Sequence, residues 1–324
     1  MIPTRRHLLS LVAAGLGAFA IPNLAVAQAP REIRVDYATY NPVSLVLKER
    51  GILERALAQD GISVRWVQSL GSNKALEFLN AGSLDFGSTA GAAALIGRVN
   101  GNPIKAVYVY SRPEWTALVA RKDSPVASVA DLKGKRIAVT RGTDPHIFLV
   151  RALRGAGLTE RDVRLVLLQH PDGRTALERG DVDAWAGLDP LMAAAEIEGG
   201  ARLVHRDADA NSWGILNVRE AFARDNPALV RRVIEAYEEA RAWSLAHPAE
   251  LKALLAAFTK LPDAVVARQL ERTDLAHSSI GPAQAETILQ AGLALREAGV
   301  LPPGTDVHAA LDALVDRGFS VAAR

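Results

Sequence analysis

The chain has 324 residues, of which 49% are hydrophobic, with 38 basic and 36 acidic side chains and no cysteine. The charge balance argues against nucleic-acid binding by counterion release, which needs a clustered basic face. The lack of cysteine excludes disulfides, thiolate metal sites and lipid attachment through an N-terminal cysteine. Because single cores stop growing at about 250 to 300 residues, we expect two lobes.

The first 27 residues have the three parts of an export signal. Arg5 and Arg6 give a basic start, an apolar run covers 8–21, and 25–27 holds the small residues that a signal peptidase reads. The run is shorter than the roughly 18 to 20 residues of a membrane-spanning helix. We predict a signal peptide over 1–27 and a soluble, monomeric, periplasmic protein. The arginine pair leaves Sec and twin-arginine export both open.

Short β-branched runs alternate with longer amphipathic stretches from Glu32 onward, which is typical of helices on a mostly parallel sheet and predicts an α/β fold. After Ala221 the apolar residues follow helical spacing, and we predict no strand from there to the C-terminus. Pro227 and Pro248 mark the starts of helices in this region. The predicted strands cover 33–39, 63–70, 85–89, 104–111, 136–140, 163–169, 183–187 and 201–205.

A short motif occurs twice, at Leu79–Asp85 and at Leu177–Asp183. Each copy reads as the end of a helix, a glycine and the start of a strand, and Gly82 and Gly180 suit the left-handed position at a helix end. The repeat is either the ordinary end of an αβ unit or the mark of two lobes with similar topology.

Two stretches are interpreted as crossovers between the lobes. Thr116–Lys122 leads into a second lobe, and Asn211–Arg219 leads back. We therefore expect lobe 1 to comprise 28–118 and 217–324, with C-terminal helices, and lobe 2 to comprise 119–216.

Four turns after predicted strands are rich in small residues. In open α/β sheets, ligands bind beyond the carboxyl ends of the strands, where helices begin. Free amides and the positive end of a helix together bind an anion's oxygens. A single turn of this kind is usually a plain helix cap, but four at equivalent ends predict an anion site. The four turns are Tyr40–Pro42, Leu70–Asn73, Ser88–Gly91 and Arg141–Asp144.

Several segments resemble the solute-binding proteins of aliphatic sulfonate, taurine and nitrate ABC importers, most closely the aliphatic sulfonate group. The specific motifs are Asp-Ser-Pro at 123–125 followed by Asp-Leu-Lys-Gly-Lys at 131–135, Gly-Asp-Val-Asp-Ala-Trp at 180–185, and Asp189-Pro190. The resemblance covers about residues 33–247. It implies a type II periplasmic binding fold, in which two α/β lobes joined by two crossovers close on the ligand.

The resemblance also implies a function: capture of a small organic anion, most simply an aliphatic sulfonate, and delivery to an ABC importer permease at the inner membrane. Many sulfonate-binding relatives carry Gly-Asp after the third strand, where this chain has Thr89-Ala90-Gly91. Binding of nitrate, taurine or another small anion or carboxylate therefore stays open. The ligand-binding residues that match the motifs are Tyr40, Asn41, Gly71, Ser72, Thr89, Gly142, Thr143 and Asp189.

Other residues near the expected cleft have two interpretations each. Trp213 is an aromatic candidate for packing an alkyl chain. Arg112 either neutralises the anion or is an ordinary exposed arginine, and Ala90 belongs to the third turn. His146 either acts as a base or borders the cleft behind Asp144, which we interpret as the helix cap.

An enzyme and a ligand-sensing regulator are the alternative classes. The 7 histidines form no His-x-x-x-His or His-Glu-x-x-His spacing, and Gly-x-Ser-x-Gly, Gly-x-Gly-x-x-Gly and Walker-type motifs are absent from the sequence. We therefore predict no enzyme activity, metal or cofactor, and no nucleic-acid partner. A regulator would carry a DNA-binding or signalling module and no export signal.

Overall fold

The computed structural model describes residues 30–319, so the predicted signal peptide lies outside the described residues. None of the helices in the described range is long and apolar enough to cross a membrane. The strands are β1 (Glu32–Tyr37), β2 (Ser63–Gln68), β3 (Phe86–Ala90), β4 (Ile104–Pro113), β5 (Leu118–Ala120), β6 (Arg136–Val139), β7 (Arg164–Leu167), β8 (Ala184–Ala186), β9 (Arg202–His205), β10 (Gly214–Arg219) and β11 (Thr273–Asp274).

The helices surround both sheets, and those after β10 extend the first lobe. They are α1 (Pro42–Glu49), α2 (Ile52–Leu57), α3 (Ser72–Asn80), α4 (Gly91–Val99), α5 (Asp144–Gly155), α6 (His170–Arg179), α7 (Leu191–Ile197), α8 (Glu220–Asp225), α9 (Pro227–Ala246), α10 (Pro248–Thr259), α11 (Asp263–Glu271), α12 (Pro282–Glu297) and α13 (Val307–Leu314). Asn226 and His247 cap α9 and α10, as the following prolines predicted.

The two sheets have the same strand order. The first runs β11-β4-β10-β3-β1-β2 and the second runs β9-β5-β8-β6-β7. In each, three adjacent parallel strands are followed by one antiparallel strand, β10 in the first sheet and β5 in the second. The next strand, β4 or β9, again runs parallel to the first three, and β11 is an additional edge strand of the first sheet. The predicted α/β fold with two lobes is confirmed, and the repeated motif marks similar topology. We call the part around the first sheet lobe 1 and the part around the second lobe 2.

The repeated motif forms the same hydrogen bonds in both lobes. Asp85, just before β3, accepts hydrogen bonds from the backbone amide of Arg34 at 2.8 Å and from its guanidinium at 2.8 Å. Asp183, just before β8, accepts from the amide of Arg136 at 2.8 Å and from its guanidinium at 3.1 Å. We call each of these arrangements a clasp. Each clasp joins the start of a central strand to its parallel neighbour.

The chain changes sheet twice, between Pro113 and Leu118 and between His205 and Gly214. The two connections lie side by side, because the amide of Thr116 donates to Oδ1 of Asn211 at 2.9 Å. The chain thus passes from one sheet to the other a few residues before each boundary expected from the sequence. Those boundaries, after residues 118 and 216, stay a proposal.

All eight predicted strands occur, but three others were missed. β5, of 3 residues, and β10, of 6 residues, lie in stretches that we interpreted as crossovers. β10 also carries the buried, polar Asn217, which interrupts its apolar pattern. The expectation of no strand after Ala221 is wrong, since the two residues of β11 pair with the end of β4.

The two lobes pack against each other. Ile147 and Val150 on α5, together with Leu188, belong to the same buried apolar cluster as Tyr40 and Trp115 of lobe 1 and its crossover. The cleft ends of the two lobes are therefore in contact, and the turns that the sequence singled out lie between them.

Candidate ligand-binding site between the lobes

The first predicted turn is fixed inside lobe 1. Asn41 caps α1 by accepting from the amide of Ser44 at 3.1 Å, and its Nδ2 donates to the hydroxyl of Ser88 at 2.8 Å. The hydroxyl of Tyr40 donates to the Ser88 carbonyl at 2.9 Å. Both side chains are at most 5% exposed. Their polar atoms thus join the turn after β1 to β3, and these bonds lie within lobe 1.

The second turn supplies free donors. Gly71 precedes α3, and the amides of Gly71, Ser72 and Asn73 donate to no acceptor within residues 30–319. The hydroxyl of Ser72 accepts from the amide of Ala90 at 2.9 Å, which ties the second turn to the third. Three first-turn amides at the positive end of α3 are suited to bind an anion.

The third turn is engaged with its own sheet. Oγ1 of Thr89 accepts from Nδ2 of Asn217 at 2.8 Å, and Thr89 is fully buried. The amide of Gly91, the first residue of α4, donates to the carbonyl of Trp213 at 2.8 Å. Thr89 and Ala90 therefore form part of the wall of the cleft, and their hydrogen bonds to Asn217, Tyr110 and Ser72 lie within lobe 1.

The fourth turn approaches lobe 1 from lobe 2. Gly142 has φ +77°, a left-handed conformation that glycine adopts without a side-chain penalty. It lines a groove of about 270 Å³ together with Asn73, Leu76 and Gly97 of lobe 1. Thr143 takes the cap position of α5, and its hydroxyl donates to the carbonyl of Thr140 at 2.6 Å. This turn and the start of α3 face each other across the groove.

The interpretation of Asp144 as the helix cap is wrong, because Thr143 holds that position. Asp144, 2% exposed, accepts instead from the indole of Trp115 at 2.7 Å and from the amide and hydroxyl of Ser212 at 2.9 and 2.8 Å. Burial raises its pKa, and the bonds from Trp115 and Ser212 partly oppose that rise. One carboxylate at the start of α5 thus holds both connections between the lobes.

A fifth turn, which the sequence analysis missed, lies at the start of α6. His170 is 1% exposed, and its Nδ1 lies 3.2 Å from the hydroxyl of Thr140. Its Nε2 lies 3.0 Å from the position that a Cβ on Gly71 would take. Since β7 and α6 occupy in lobe 2 the places of β2 and α3 in lobe 1, the repeated motif could have led to this turn. It faces the second turn directly.

Asp189 lies outside this group of turns, in an ion-pair network. Its Oδ1 accepts from the amide of Ala193 at 2.8 Å, and its Oδ2 lies 3.4 Å from a guanidinium nitrogen of Arg272. Arg272 also pairs with Glu196 on α7. Burial raises the pKa of Asp189 to about 7, with Arg272 opposing the rise. Because Arg272 follows α11, the network links lobe 2 to the C-terminal part of lobe 1.

Trp213 and Arg112 interact with each other at the edge of lobe 1. The guanidinium of Arg112 lies 4.8 Å from the centre of the Trp213 ring and pairs with Asp209 at 2.9 Å. The Trp213 ring also makes an edge-to-face contact with the ring of His277, with the ring centres 5.0 Å apart. The structure thus gives both side chains protein partners at this edge.

His146 is buried inside the start of α5, 1% exposed, with Nε2 2.9 Å from Glu160. That contact, outweighing burial, lowers the pKa of Glu160. A second cavity of about 520 Å³ lies near this pair, between α5 and the end of α12, and is lined by both Arg154 and Glu297. Since these two side chains pair at 2.5 Å, the cavity presents little net charge.

The geometry is suited to holding an anion. The starts of α3, α5 and α6 converge from two lobes, and they offer backbone donors rather than an acid–base pair. No cluster of three or more metal-ligating side chains occurs in the part of the chain that the structure describes.

Known proteins resemble this chain in sequence and in structure. Residues 57–251 match the family described as NMT1/THI5 like. A protein of Escherichia coli (strain K12) named as an aliphatic sulfonates-binding protein is 32% identical over 283 residues, which are 87% of this chain and 88% of that protein.

Two solved structures share the architecture. The alkanesulfonate-binding protein SsuA from Xanthomonas axonopodis pv. citri, bound to MOPS, has a TM-score of 0.81 at 27% identity, covering 89% of this chain and 99% of that chain. The periplasmic aliphatic sulphonate binding protein SsuA from Escherichia coli has a TM-score of 0.73 at 29% identity, covering 86% and 91%. The predicted type II periplasmic binding fold is confirmed, and the chain belongs to the NMT1/THI5-like family, among the periplasmic solute-binding proteins of the aliphatic sulfonate group.

Proposed function

We propose that the protein captures an aliphatic sulfonate between its lobes and delivers it to the permease of an ABC importer. The observation that carries the proposal is the free first turn of α3, at Gly71–Asn73, which faces Gly142 and His170 of lobe 2. A sulfonate remains ionised at neutral pH and presents three acceptor oxygens. Amides at helix starts bind such a group without a full countercharge.

Other small anions are the second candidates, because backbone amides also donate to nitrate or to a carboxylate. Taurine is a sulfonate that carries an amine, so it differs from a simple alkanesulfonate only at its other end. The names of the sulfonate-binding relatives support the first candidate.

Calorimetric titration with a short alkanesulfonate, taurine, nitrate and sulfate tests the ligand class. We expect a sulfonate to bind most tightly and to stabilise the fold by about 2.7 kcal/mol when it is present at 100 times its Kd. The buffer must contain no sulfonate, since MOPS and its relatives are sulfonates themselves. Tighter binding of nitrate or sulfate than of every sulfonate would contradict the proposal.

We infer that the protein works as a soluble monomer in the periplasm, as a carrier rather than an enzyme. The export signal expected at 1–27 and the periplasmic relative from Escherichia coli support this location. N-terminal sequencing of the periplasmic fraction should give Gln28 as the first residue. Full-length protein that is active in the cytoplasm would contradict the inference.

A further inference from the structure

Two buried acceptor atoms, one from each lobe, face the turn that begins α3. Nε2 of His170, whose side chain is 1% exposed, has no hydrogen-bond partner in the described part of the chain. Oδ1 of Asn73 is likewise buried without a partner among those residues. The two atoms lie 3.0 and 2.9 Å from the point where a Cβ on Gly71 would stand. They therefore approach the same place from opposite sides of the cleft.

Hydrogen bonds inside lobe 2 decide which nitrogen of His170 carries the proton. The hydroxyl of Thr140 donates to the carbonyl of Leu168 at 2.7 Å, which uses its single proton. The 3.2 Å contact between this hydroxyl and Nδ1 of His170 then makes Nδ1 the donor. Burial lowers the pKa of His170 to about 3, so the ring is neutral and Nε2 presents a lone pair.

We infer that Nε2 of His170 and Oδ1 of Asn73 form an acceptor pair that binds a hydrogen-bond donor on the ligand. Buried acceptors without a donor are costly, and a ligand N–H or O–H group between the lobes would satisfy them. The amides of the same turn suit the sulfonate oxygens, so the pair would contact the other end of a short molecule. The inference rests on the proposed function and narrows its ligand to sulfonates with an amine or a hydroxyl.

Three ligands of similar size test the pair by calorimetry in sulfonate-free buffer: 2-hydroxyethanesulfonate, 2-aminoethanesulfonate and propane-1-sulfonate, in which a methyl group replaces the donor. We expect the wild type to bind the two donor-bearing ligands about tenfold more tightly than the third. His170→Leu should remove this preference while propane-1-sulfonate still binds. His170→Gln, which keeps an acceptor, should retain it.

Asn73→Leu tests the same pair from lobe 1 and should also reduce the preference, and thermal melting of each variant checks that it is folded. Equal binding of all three ligands to the wild type, or an unchanged preference in His170→Leu and Asn73→Leu, would overturn the inference and leave sulfonate binding intact. Proton uptake on binding, measured in buffers of different ionisation enthalpy, would overturn it as well, because a protonated Nε2 would then donate to the anion. If the wild type binds no sulfonate at all, the proposed function itself fails.

Discussion

The two lobes share a strand order and a clasp, but the clasps differ in burial. The side chain of Asp85 is 2% exposed and pairs with both Arg34 and Arg219. The side chain of Asp183 is 31% exposed and pairs with Arg136. A charge pair in water contributes little, whereas an unpaired buried charge is costly. The same sequence motif therefore gives the same geometry in both lobes, but we expect the buried clasp to contribute more to the free energy of unfolding.

The cores beneath the cleft differ too. Counting two residues on from the clasp arginines places Asp36 of β1 at the position of Ala138 of β6. Asp36 is fully buried and accepts from the amide and hydroxyl of Ser88 at 2.9 and 2.8 Å. Burial raises its pKa to about 6. Lobe 1 thus holds a buried carboxyl group where lobe 2 has a methyl group.

The largest effect is expected from the clasps. Asp85→Ala should destabilise the protein by about 3 kcal/mol, because two partly buried arginines lose their partner. The matched change Asp183→Ala should lower the free energy of unfolding by about 1 kcal/mol or less, because this clasp is more exposed to solvent. Urea unfolding of both variants measures the difference. Equal losses of stability in the two variants would show that burial does not determine how much each clasp contributes to the free energy of unfolding.

Gly71 lies where the two lobes meet, so replacing it tests the contact between them. Gly71→Ala places a Cβ 3.0 Å from Nε2 of His170 and 2.9 Å from Oδ1 of Asn73, so these two side chains must move away from the turn. We expect affinity for the ligand to fall by roughly tenfold to a hundredfold, about 1.4 to 2.8 kcal/mol. Gly155→Ala is the control, since a Cβ there has no atom within 4 Å. Undiminished affinity in Gly71→Ala would show that the ligand does not need His170 and Asn73 in these positions.

The buried carboxyl group of lobe 1 should give a pH signature. The folded-state pKa of Asp36, about 6, lies above its ordinary value near 4, so the folded state binds the extra proton between these values. Its contribution to the free energy of unfolding therefore increases by about 1 kcal/mol as the pH falls from 7 to 5. Asp36→Asn should lack that increase.

The measurement is the difference between the two unfolding curves at each pH. The wild-type curve alone is not the readout, because His170, with its pKa lowered to about 3, acts in the opposite direction over the same range. A difference that stays constant from pH 7 to 5 would show that Asp36 is already ionised throughout.

The smallest effect is expected at the start of α5. The Thr143 hydroxyl bonds to Thr140 within lobe 2, so Thr143→Ala should cost about 1 kcal/mol of stability and change ligand affinity little. The exposed Asp181 serves as the control, and Asp181→Ala should stay within about 0.5 kcal/mol of the wild type. A tenfold loss of affinity in Thr143→Ala would show that this hydroxyl binds the ligand after all.

Sequence patterns predicted eight of the strands and the four turns, because both follow from local signals. They missed β5 and β10 because both lie in stretches interpreted as crossovers, and Asn217 also breaks the apolar run of β10. The partners of Asp144, Trp115 and Ser212, lie on the two connections between the lobes and are far from it in sequence. Residues as distant as Asp144 and Ser212 meet only in the folded chain.

The two adjacent connections have a consequence for engineering. Thr116 and Asn211 are joined by a hydrogen bond of 2.9 Å, so the segment that carries the second sheet starts and ends at neighbouring points. This is the geometry of a domain inserted into a host, which tolerates transplantation when its ends lie close together. We therefore expect that lobe 2 can be exchanged between relatives by joining the new lobe to lobe 1 near Thr116 and Asn211. Such chimaeras would separate the contributions of each lobe to ligand choice.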